Sequence, residues 1–253
     1  MGRLKNKMGI ITGGASGIGK ATAIHLSGEG ARVVIFDKNR AAAYQVADEI
    51  VAKGGEAVFY EVDVTSYEQL ERAIDEVCCS GELWFMVHAA GWDSPAPFLT
   101  THPAEWAKVI DINLVGALNM HHLVCKKMRD SGGGRIVSIA SDSARVGAGN
   151  CALYSAAKNG IIAFTKSLAR ELASENILLN TLCPGPTDTP LLNNFSGSSE
   201  DAEKLMRSLI RNIPLGRIAQ AEDYNEIITL LISAGGDYIT GQTISVSGGL
   251  TML

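Results

Sequence analysis

The stretch Met8-Gly9-Ile10-Ile11-Thr12-Gly13-Gly14-Ala15-Ser16-Gly17-Ile18-Gly19 decides how the chain is read. An apolar run of strand length breaks at Thr12 into a glycine-rich turn, and a helical pattern follows. Glycine permits a tight turn and lets backbone N–H groups approach an anion, while the helix start adds partial positive charge. Strand, glycine turn and helix in that order open a dinucleotide-binding βαβ unit, with Gly13, Ser16, Gly17, Ile18 and Gly19 as candidate cofactor contacts. The spacing Gly13-x-x-x-Gly17-x-Gly19 is longer than the G-x-G-x-x-G form. By itself it is also compatible with plain turn chemistry.

The same rhythm recurs along the chain. Apolar runs at Arg32–Asp37, Ala57–Asp63, Trp84–Ala90, Arg135–Ser141, Ile177–Cys183 and Thr243–Ser247 alternate with helical patterns. In Ser66–Cys79, for instance, Leu70, Ala73, Ile74 and Val77 share one face. Thr65 with Glu68 reads as a capping box for that helix, and Pro103 with Glu105 opens another. Continuous apolar strands, each followed by a helix, predict a single α/β domain spanning 1–253. It is a doubly wound, Rossmann-like parallel sheet of about seven strands with helices on both faces. Residues 187–213 interrupt the rhythm with a turn-rich insertion, read as a substrate lid or a solvated loop.

Composition narrows the function. At 253 residues with 46% apolar and 19% charged content, the chain is long and apolar enough for a sizeable core. A net charge of -5 argues against a nucleic-acid partner, which needs clustered Lys and Arg. The first apolar run is too short for a signal peptide or membrane span, so no membrane is expected and the location predicted is cytoplasmic. The five cysteines have no metal-knuckle spacing; free thiols in a reducing compartment, with no metal, are expected.

Two ends of a site can be placed. The second strand ends at Asp37, where a carboxylate would accept both adenosine ribose hydroxyls and repel a 2′-phosphate; this favours NAD over NADP, although Lys38 and Arg40 follow. Asp63-Val64, ending the third strand, would meet the adenine edge or serve as a helix-start acid. At the other end, Tyr154 and Lys158 are four residues apart in a helical pattern and share a face. Lowering a phenol from its usual pKa of about 10 towards neutrality takes roughly 3–4 kcal/mol, which a close ammonium plus cofactor charge would supply. Ser141, at the carboxyl end of its strand, can donate to an oxygen on which charge develops. Ser138 and Ser143 are its rivals, one expected mid-strand and one in the loop beyond.

Jointly these pieces resemble the short-chain dehydrogenase/reductase family over essentially the whole chain. They are Thr12-Gly13-x-x-x-Gly17-x-Gly19, Asp63, Ala89-Ala90-Gly91, Asn113, Ser141, Tyr154-x-x-x-Lys158, Pro184-Gly185 and Ile239-Thr240-Gly241-Gln242. The resemblance implies Tyr154 as general acid/base and Ser141 as the group that polarises a carbonyl. Lys158 would lower the Tyr154 pKa and hold the nicotinamide ribose, and Asn113 would hold a water in a proton relay. Ala90, Gly91, Pro184, Gly185 and Thr187 would contact the cofactor, with Thr187 on the carboxamide. It also implies a homotetramer built on helices Val109–Arg129 and Ala152–Ser174, whose exposed faces would be rich in small and apolar residues, including Gly116, Ala117, Ala163 and Ala169. The family usually has two Asn where this chain has His88 and Ala89, and His88 is read as a brace.

Segments including Gly91-Trp92-Asp93, Met120-His121-His122 and Ser141-Asp142-Ser143-Ala144-Arg145 resemble the branch acting on 2-hydroxycyclohexanecarboxyl-CoA. That implies a cyclic 2-hydroxyacyl-CoA substrate, with Trp92, Val146, Leu191, Leu192 and Phe195 as an apolar pocket. Lys204, Arg207 and Arg211 would meet CoA phosphates or simply form a solvated helix face, and Arg145 would touch substrate or belong to a surface loop. The alternatives are a 3-oxoacyl thioester reductase, a dehydrogenase of another secondary alcohol, and a catalytically silent dinucleotide-binding regulator.

Overall fold

A computed structural model describes residues 2–193 and 199–253. Seven strands form one sheet: β1 (Met8–Thr12), β2 (Arg32–Asp37), β3 (Glu56–Glu61), β4 (Leu83–His88), β5 (Gly134–Ile139), β6 (Ile177–Pro184) and β7 (Thr243–Val246). All pairs are parallel, in the order β3-β2-β1-β4-β5-β6-β7. The helices described are α1 (Gly17–Gly28), α2 (Arg40–Ala52), α3 (Tyr67–Cys79), α4 (Pro103–Ile110) and α5 (Gly116–Asp130), then α6 (Ser143–Val146), α7 (Ala152–Leu172), α8 (Pro190–Asn193), α9 (Ser199–Asn212) and α10 (Asn225–Ile232). Among the described residues, no helix is long and apolar enough to cross a membrane.

Strand side chains alternate between two cores, as the two-residue period requires. Ile10, Val34, Phe36, Met86 and Ile136 pack with α3, α5 and α7 through Leu70, Ile74, Met120, Val124 and Leu172. Ile11, Val33, Ile35, Val87 and Val137 pack with α1, α2 and α10 through Leu26, Val46, Ile50, Ile228 and Leu231. Each such fully buried side chain contributes about 1.5–3 kcal/mol. A sheet covered on both faces is the doubly wound architecture that the run pattern predicts.

Several local expectations are corrected. The Thr65–Glu68 capping box is not formed: Thr65 Oγ1 and N–H both donate to Asp63 Oδ1, at 2.7 and 2.9 Å, and the helix starts after Ser66. Pro103 and Glu105 do open α4, with His102 and Glu105 capping each other. The helix expected over Val109–Arg129 is broken by a π-helical turn at Asp111–Val115, which separates α4 from α5. The small residues expected on outer helix faces are mostly inside the subunit. Gly116, Ala117 and Ala169 are buried and only Ala163 is exposed. Gly116 is small because α5 lies close to Val64, whose Cγ2 would stand 2.7 Å from an added Cβ.

Strand order reverses between β1 and β4, so their carboxyl ends splay and leave a crevice. One hydroxyl ties that point together. Thr12 Oγ1 accepts the N–H groups of Ala89 and Ala90, both at 3.1 Å, and lies 3.0 Å from His88 Nδ1. With its lone pairs taken, Thr12 gives its proton to Nδ1, so His88 carries its own proton on Nε2. Burial, reinforced by nearby His121 and Lys158, holds the His88 pKa well below its ordinary value. Beside it, His121 donates from Nδ1 to Ala117 O at 2.6 Å and accepts from Ser138 Oγ at 2.9 Å. Burial pushes His121 down to about 4. Both imidazoles are neutral struts, and His88 is the brace expected of it.

Replacing Thr12 with Val should therefore lower unfolding stability by about 2–3 kcal/mol, because a buried N–H and an imidazole nitrogen lose their partner. Thr12→Ser should recover most of that. Equilibrium denaturation of the two variants is the check.

Candidate active site

A cavity of about 630 Å³ runs along the carboxyl ends of the central strands, a size usual for cofactor and substrate clefts. All the candidate site residues line it except Asn113, which is fully buried behind it. One end is the glycine turn. Gly13 and Gly17 have φ of 65° and 49°, and Gly19 is so close to Gly13 that an added Cβ would stand 2.2 Å from its carbonyl oxygen. The α1 N-cap, Ser16, makes no side-chain bond to the first turn. Backbone N–H groups at this helix start thus face the cavity without a side-chain cap, as an anion such as a pyrophosphate requires.

Asp37 is aimed at the same end by two backbone donors, Ala15 N to Oδ2 at 3.1 Å and Asn39 N to Oδ1 at 2.9 Å. Each oxygen keeps a lone pair for a further donor such as a ribose hydroxyl. Asp63 lines the cavity while capping Thr65. Burial raises its pKa, but the two Thr65 bonds and Lys38 outweigh that, and the net shift is downward.

At the other end Tyr154 and Ser141 line the same wall, with Ser141 near enough to favour the ionised phenol. Ser141 stands two residues beyond β5, in the loop rather than at the strand end expected. Its Oγ lies 2.9 Å from Ser143 Oγ and accepts Ser143 N–H at 3.2 Å. Of the rival serines, Ser138 is fully buried on His121, and Ser143 supports Ser141. Lys158 is 2% exposed, donates to Ile139 O at 2.9 Å, and has Nζ 5.6 Å from the Tyr154 ring centre. Gly91 must lack a side chain here: an added Cβ would stand 3.0 Å from Asn113 Oδ1 and 3.1 Å from Lys158 Nζ.

The protein's own groups do not lower the phenol pKa. The Tyr154 pKa is pushed up, first by burial and then by Asp93 and Cys151 nearby, and Ser141 only partly offsets this. Burial also lowers Lys158, to about 8. The ammonium therefore loses its proton before the phenol would. In the protein's own field the phenol stays protonated, and lowering its pKa needs further positive charge.

Asn113 is held by three hydrogen bonds. Its Nδ2 donates to Trp92 O at 2.6 Å and Val109 O at 2.8 Å, and its Oδ1 accepts Trp92 N–H at 3.2 Å. Both amide protons are engaged, so the side chain pins the Gly91–Trp92 segment and keeps one Oδ1 lone pair for a water. Thr187 Oγ1 donates to Gly185 O at 2.8 Å and accepts from the Tyr224 hydroxyl at 2.6 Å. One lone pair remains for a carboxamide N–H. The sequence reading missed Tyr224 and Asp93; an acid just beyond a strand's carboxyl end was the available signal for the second.

The apolar wall contains Trp92, Val146, Leu191 and Leu192 as expected, joined by Leu209 and Leu250, while Phe195 lies outside the described residues. Lys204, Arg207 and Arg211 are exposed and do not line the cavity. Arg145 is structural: it donates to Ser245 Oγ and to Leu253 O, both at 2.7 Å.

The buried ammonium gives a pH signature. Its folded pKa of about 8 lies below the ordinary lysine value of 10.5, so the unfolded chain holds an extra proton between those values and stability rises with pH there. Lys158→Met lacks that contribution. Its stability relative to wild type should fall by about 3 kcal/mol from pH 7 to pH 10.5 in urea titrations.

Comparison with known proteins agrees with this geometry. Residues 13–251 match the family described as enoyl-(acyl carrier protein) reductase. A cyclohexanol dehydrogenase from an Acinetobacter species is 34% identical over 98% of this chain and 96% of its own. A 3-oxoacyl-(acyl-carrier-protein) reductase from Thermotoga maritima is 33% identical over 99% of this chain and 100% of its own. Among solved structures, a 3-ketoacyl-(acyl-carrier-protein) reductase from Brucella melitensis complexed with NADH superimposes with a TM-score of 0.90 at 28% identity, covering 98% of this chain and 100% of that one. The chain thus belongs to the short-chain dehydrogenase/reductase family and is an oxidoreductase of that kind.

Proposed function

We propose that the protein is an NAD-dependent oxidoreductase that interconverts a secondary alcohol and a ketone, with Tyr154 as the acid/base. The observation that carries this is the Ser141–Tyr154 hydroxyl pair, set in the same cavity as the uncapped glycine turn and Asp37. The residues fit a nicotinamide dinucleotide. Gly13, Ser16, Gly17, Ile18 and Gly19 would hold its pyrophosphate, Asp37 the adenosine ribose, Asp63 and Val64 the adenine, and Ala90, Gly91, Pro184, Gly185 and Thr187 the nicotinamide half. The bound cofactor supplies the hydride acceptor and, when oxidised, a positive charge.

The chain's own groups do the rest. Ser141 donates to the substrate oxygen and holds it beside Tyr154. As the carbinol C–H bond breaks with its electron pair, the hydroxyl proton passes to Tyr154, and the carbonyl that forms keeps the Ser141 bond. Lys158 would hold the nicotinamide ribose, and its ammonium together with the cofactor's charge would lower the pKa of the phenol. Asn113 keeps the Trp92 segment in place and offers Oδ1 to a water in the proton path. Both ends of the hydride transfer are thereby held in one orientation, which is where most of the acceleration arises.

For substrate we propose a cyclic secondary alcohol, in its narrower form a cyclic 2-hydroxyacyl-CoA. The apolar wall supports a ring, and the cyclohexanol dehydrogenase relative acts on one by name. The cavity walls read the ring rather than CoA phosphates, since the α9 cations do not line it. A second reading, 3-oxoacyl thioester reduction, is favoured by the Thermotoga maritima relative. Residues 187–213 are proposed to cover the cavity as a lid, supported by Leu191, Leu192 and Leu209 on its wall. A homotetramer is part of the same proposal, supported by Ile110 and Leu118, each more than a third exposed on the α4–α5 face. Five free thiols support a reducing, cytoplasmic setting.

The test is turnover of cyclohexanol and of 2-hydroxycyclohexanecarboxyl-CoA with NAD⁺. Tyr154→Phe should lower kcat by about 10³-fold while the protein still binds NADH. Turnover unaffected by that change would reject the assignment. Separately, Asp37→Ala should shift the ratio of kcat/KM for NAD⁺ over NADP⁺ by about ten-fold or more towards NADP⁺, because it removes the charge that repels a 2′-phosphate.

A further inference from the structure

Beyond β7 the chain bends into a hook at residues 248–253. Gly248 and Gly249 make the bend, at φ of 64° and 87°. They press closely on the chain where the 187–213 segment ends: an added Cβ would stand 2.8 Å from Ile213 Cγ2 at the first and 3.0 Å from Pro214 Cγ at the second. Gly248 O accepts the Leu215 N–H at 3.0 Å, and Ser247 Oγ accepts the Thr251 N–H at 3.1 Å. The hook brings Leu250 onto the cavity wall with 36% of it still exposed, and Val146, 59% exposed, lines the same cavity from α6.

One side chain ties the hook to α6. Arg145 Nη1 donates to Ser245 Oγ and Nη2 to Leu253 O, both at 2.7 Å. Ser245 Oγ in turn donates to Asp142 Oδ1. A hydroxyl has one proton, so the order runs from Arg145 through Ser245 to Asp142. Asp142 is 3% exposed, and its N–H donates to Pro184 O at 2.9 Å. A chain of hydrogen bonds with a charged group at each end is stronger than its neutral counterpart. It joins the loop from Ser141 to Val146, the end of β6 and the hook. Met252 and Leu253 are 79% and 75% exposed, so packing does little to hold them and the Arg145 bond anchors the hook's tip.

We propose that Arg145 is a positioning residue for the substrate: by pinning residues 248–253 to α6, it holds Leu250 and Val146 at the spacing that grips the apolar part of the alcohol. This deepens the alcohol-oxidation reading and rests on it in taking the cavity as the substrate site. Arg145 acts only through the wall it holds. Its loss should therefore weaken the alcohol and spare the dinucleotide end, which the glycine turn and Asp37 form on the far side of the sheet's switch point. A staple that served stability alone would disturb both ends alike or neither.

Binding to the NADH complex, in which an alcohol has no hydride acceptor, reads this without turnover. Cyclohexanol is titrated into enzyme saturated with NADH and followed by nicotinamide fluorescence. The proteins compared are wild type, Arg145→Met, a variant lacking Met252 and Leu253, and the two changes combined. Each single change should weaken cyclohexanol by about ten-fold, the scale of losing a close apolar contact, while the NADH Kd stays within about two-fold. The combined variant should be within about two-fold of either alone, because both changes open one latch. Leu250→Ala, made on the partly exposed wall, should weaken cyclohexanol to the same degree and decides the matter if the other variants do not fold. Unchanged cyclohexanol affinity, a parallel loss of NADH affinity, additive losses in the combined variant, or no cyclohexanol binding to wild type would overturn the proposal. Failure of the oxidoreductase reading would show instead as the absence of Tyr154-dependent turnover, whatever these affinities.

Discussion

The fold's functional geometry hangs on the hydroxyl of Thr12. Where β1 and β4 part, the Ala89 N–H reaches the Thr12 carbonyl only at 3.3 Å, and the Ala90 N–H beyond it is left to a side chain. Thr12 Oγ1 takes both the Ala89 and Ala90 N–H groups and braces His88 in return. The glycine turn after β1 and the Ala89–Asp93 loop after β4 are thereby fixed against each other. Gly13 completes the contact, since an added Cβ would stand 2.9 Å from the Ala90 backbone.

From that junction outward, the site is held by groups that gain nothing for stability. Lys158 is buried with one carbonyl for company, Tyr154 lies beside a carboxylate that opposes its ionisation, and Asp93 keeps an unpaired oxygen. Each would be better replaced by an apolar residue if folding were the only demand. Their concentration at one end of one cavity is the pattern expected where charge must appear and disappear during a reaction. The surrounding cores make this tolerable, because alternate residues of every central strand are fully buried on both faces.

The sheet was legible in the sequence because parallel strands buried on both sides leave continuous apolar runs, and every predicted run corresponds to a strand within about two residues. Strand ends were less legible. Ser141 reads as strand in sequence and lies in the loop, because hydrogen bonds from Ala140 and Asp142 to β6 carry the extended chain past the end of β5. The π-turn at Asp111–Val115 leaves no periodicity signal, since one inserted residue does not disturb an already mixed pattern. The small residues of α5 and α7 were misread as an outer face, as smallness marks close packing without saying against what. Electrostatics were least legible: spacing placed Lys158 near Tyr154, but only burial shows that the ammonium is weakened and the phenol held neutral in the protein's own field.

That last point is where the account is most exposed. It holds that the polypeptide keeps the Tyr154 phenol protonated and that the oxidised cofactor's charge is what frees it. Ultraviolet tyrosinate titration, taken as wild type minus Tyr154→Phe, isolates this one phenol. The account predicts ionisation above the ordinary tyrosine value in the protein alone and a clear fall when NAD⁺ is bound. A phenol that already ionises near neutrality without cofactor, or one that NAD⁺ leaves unmoved, would contradict it.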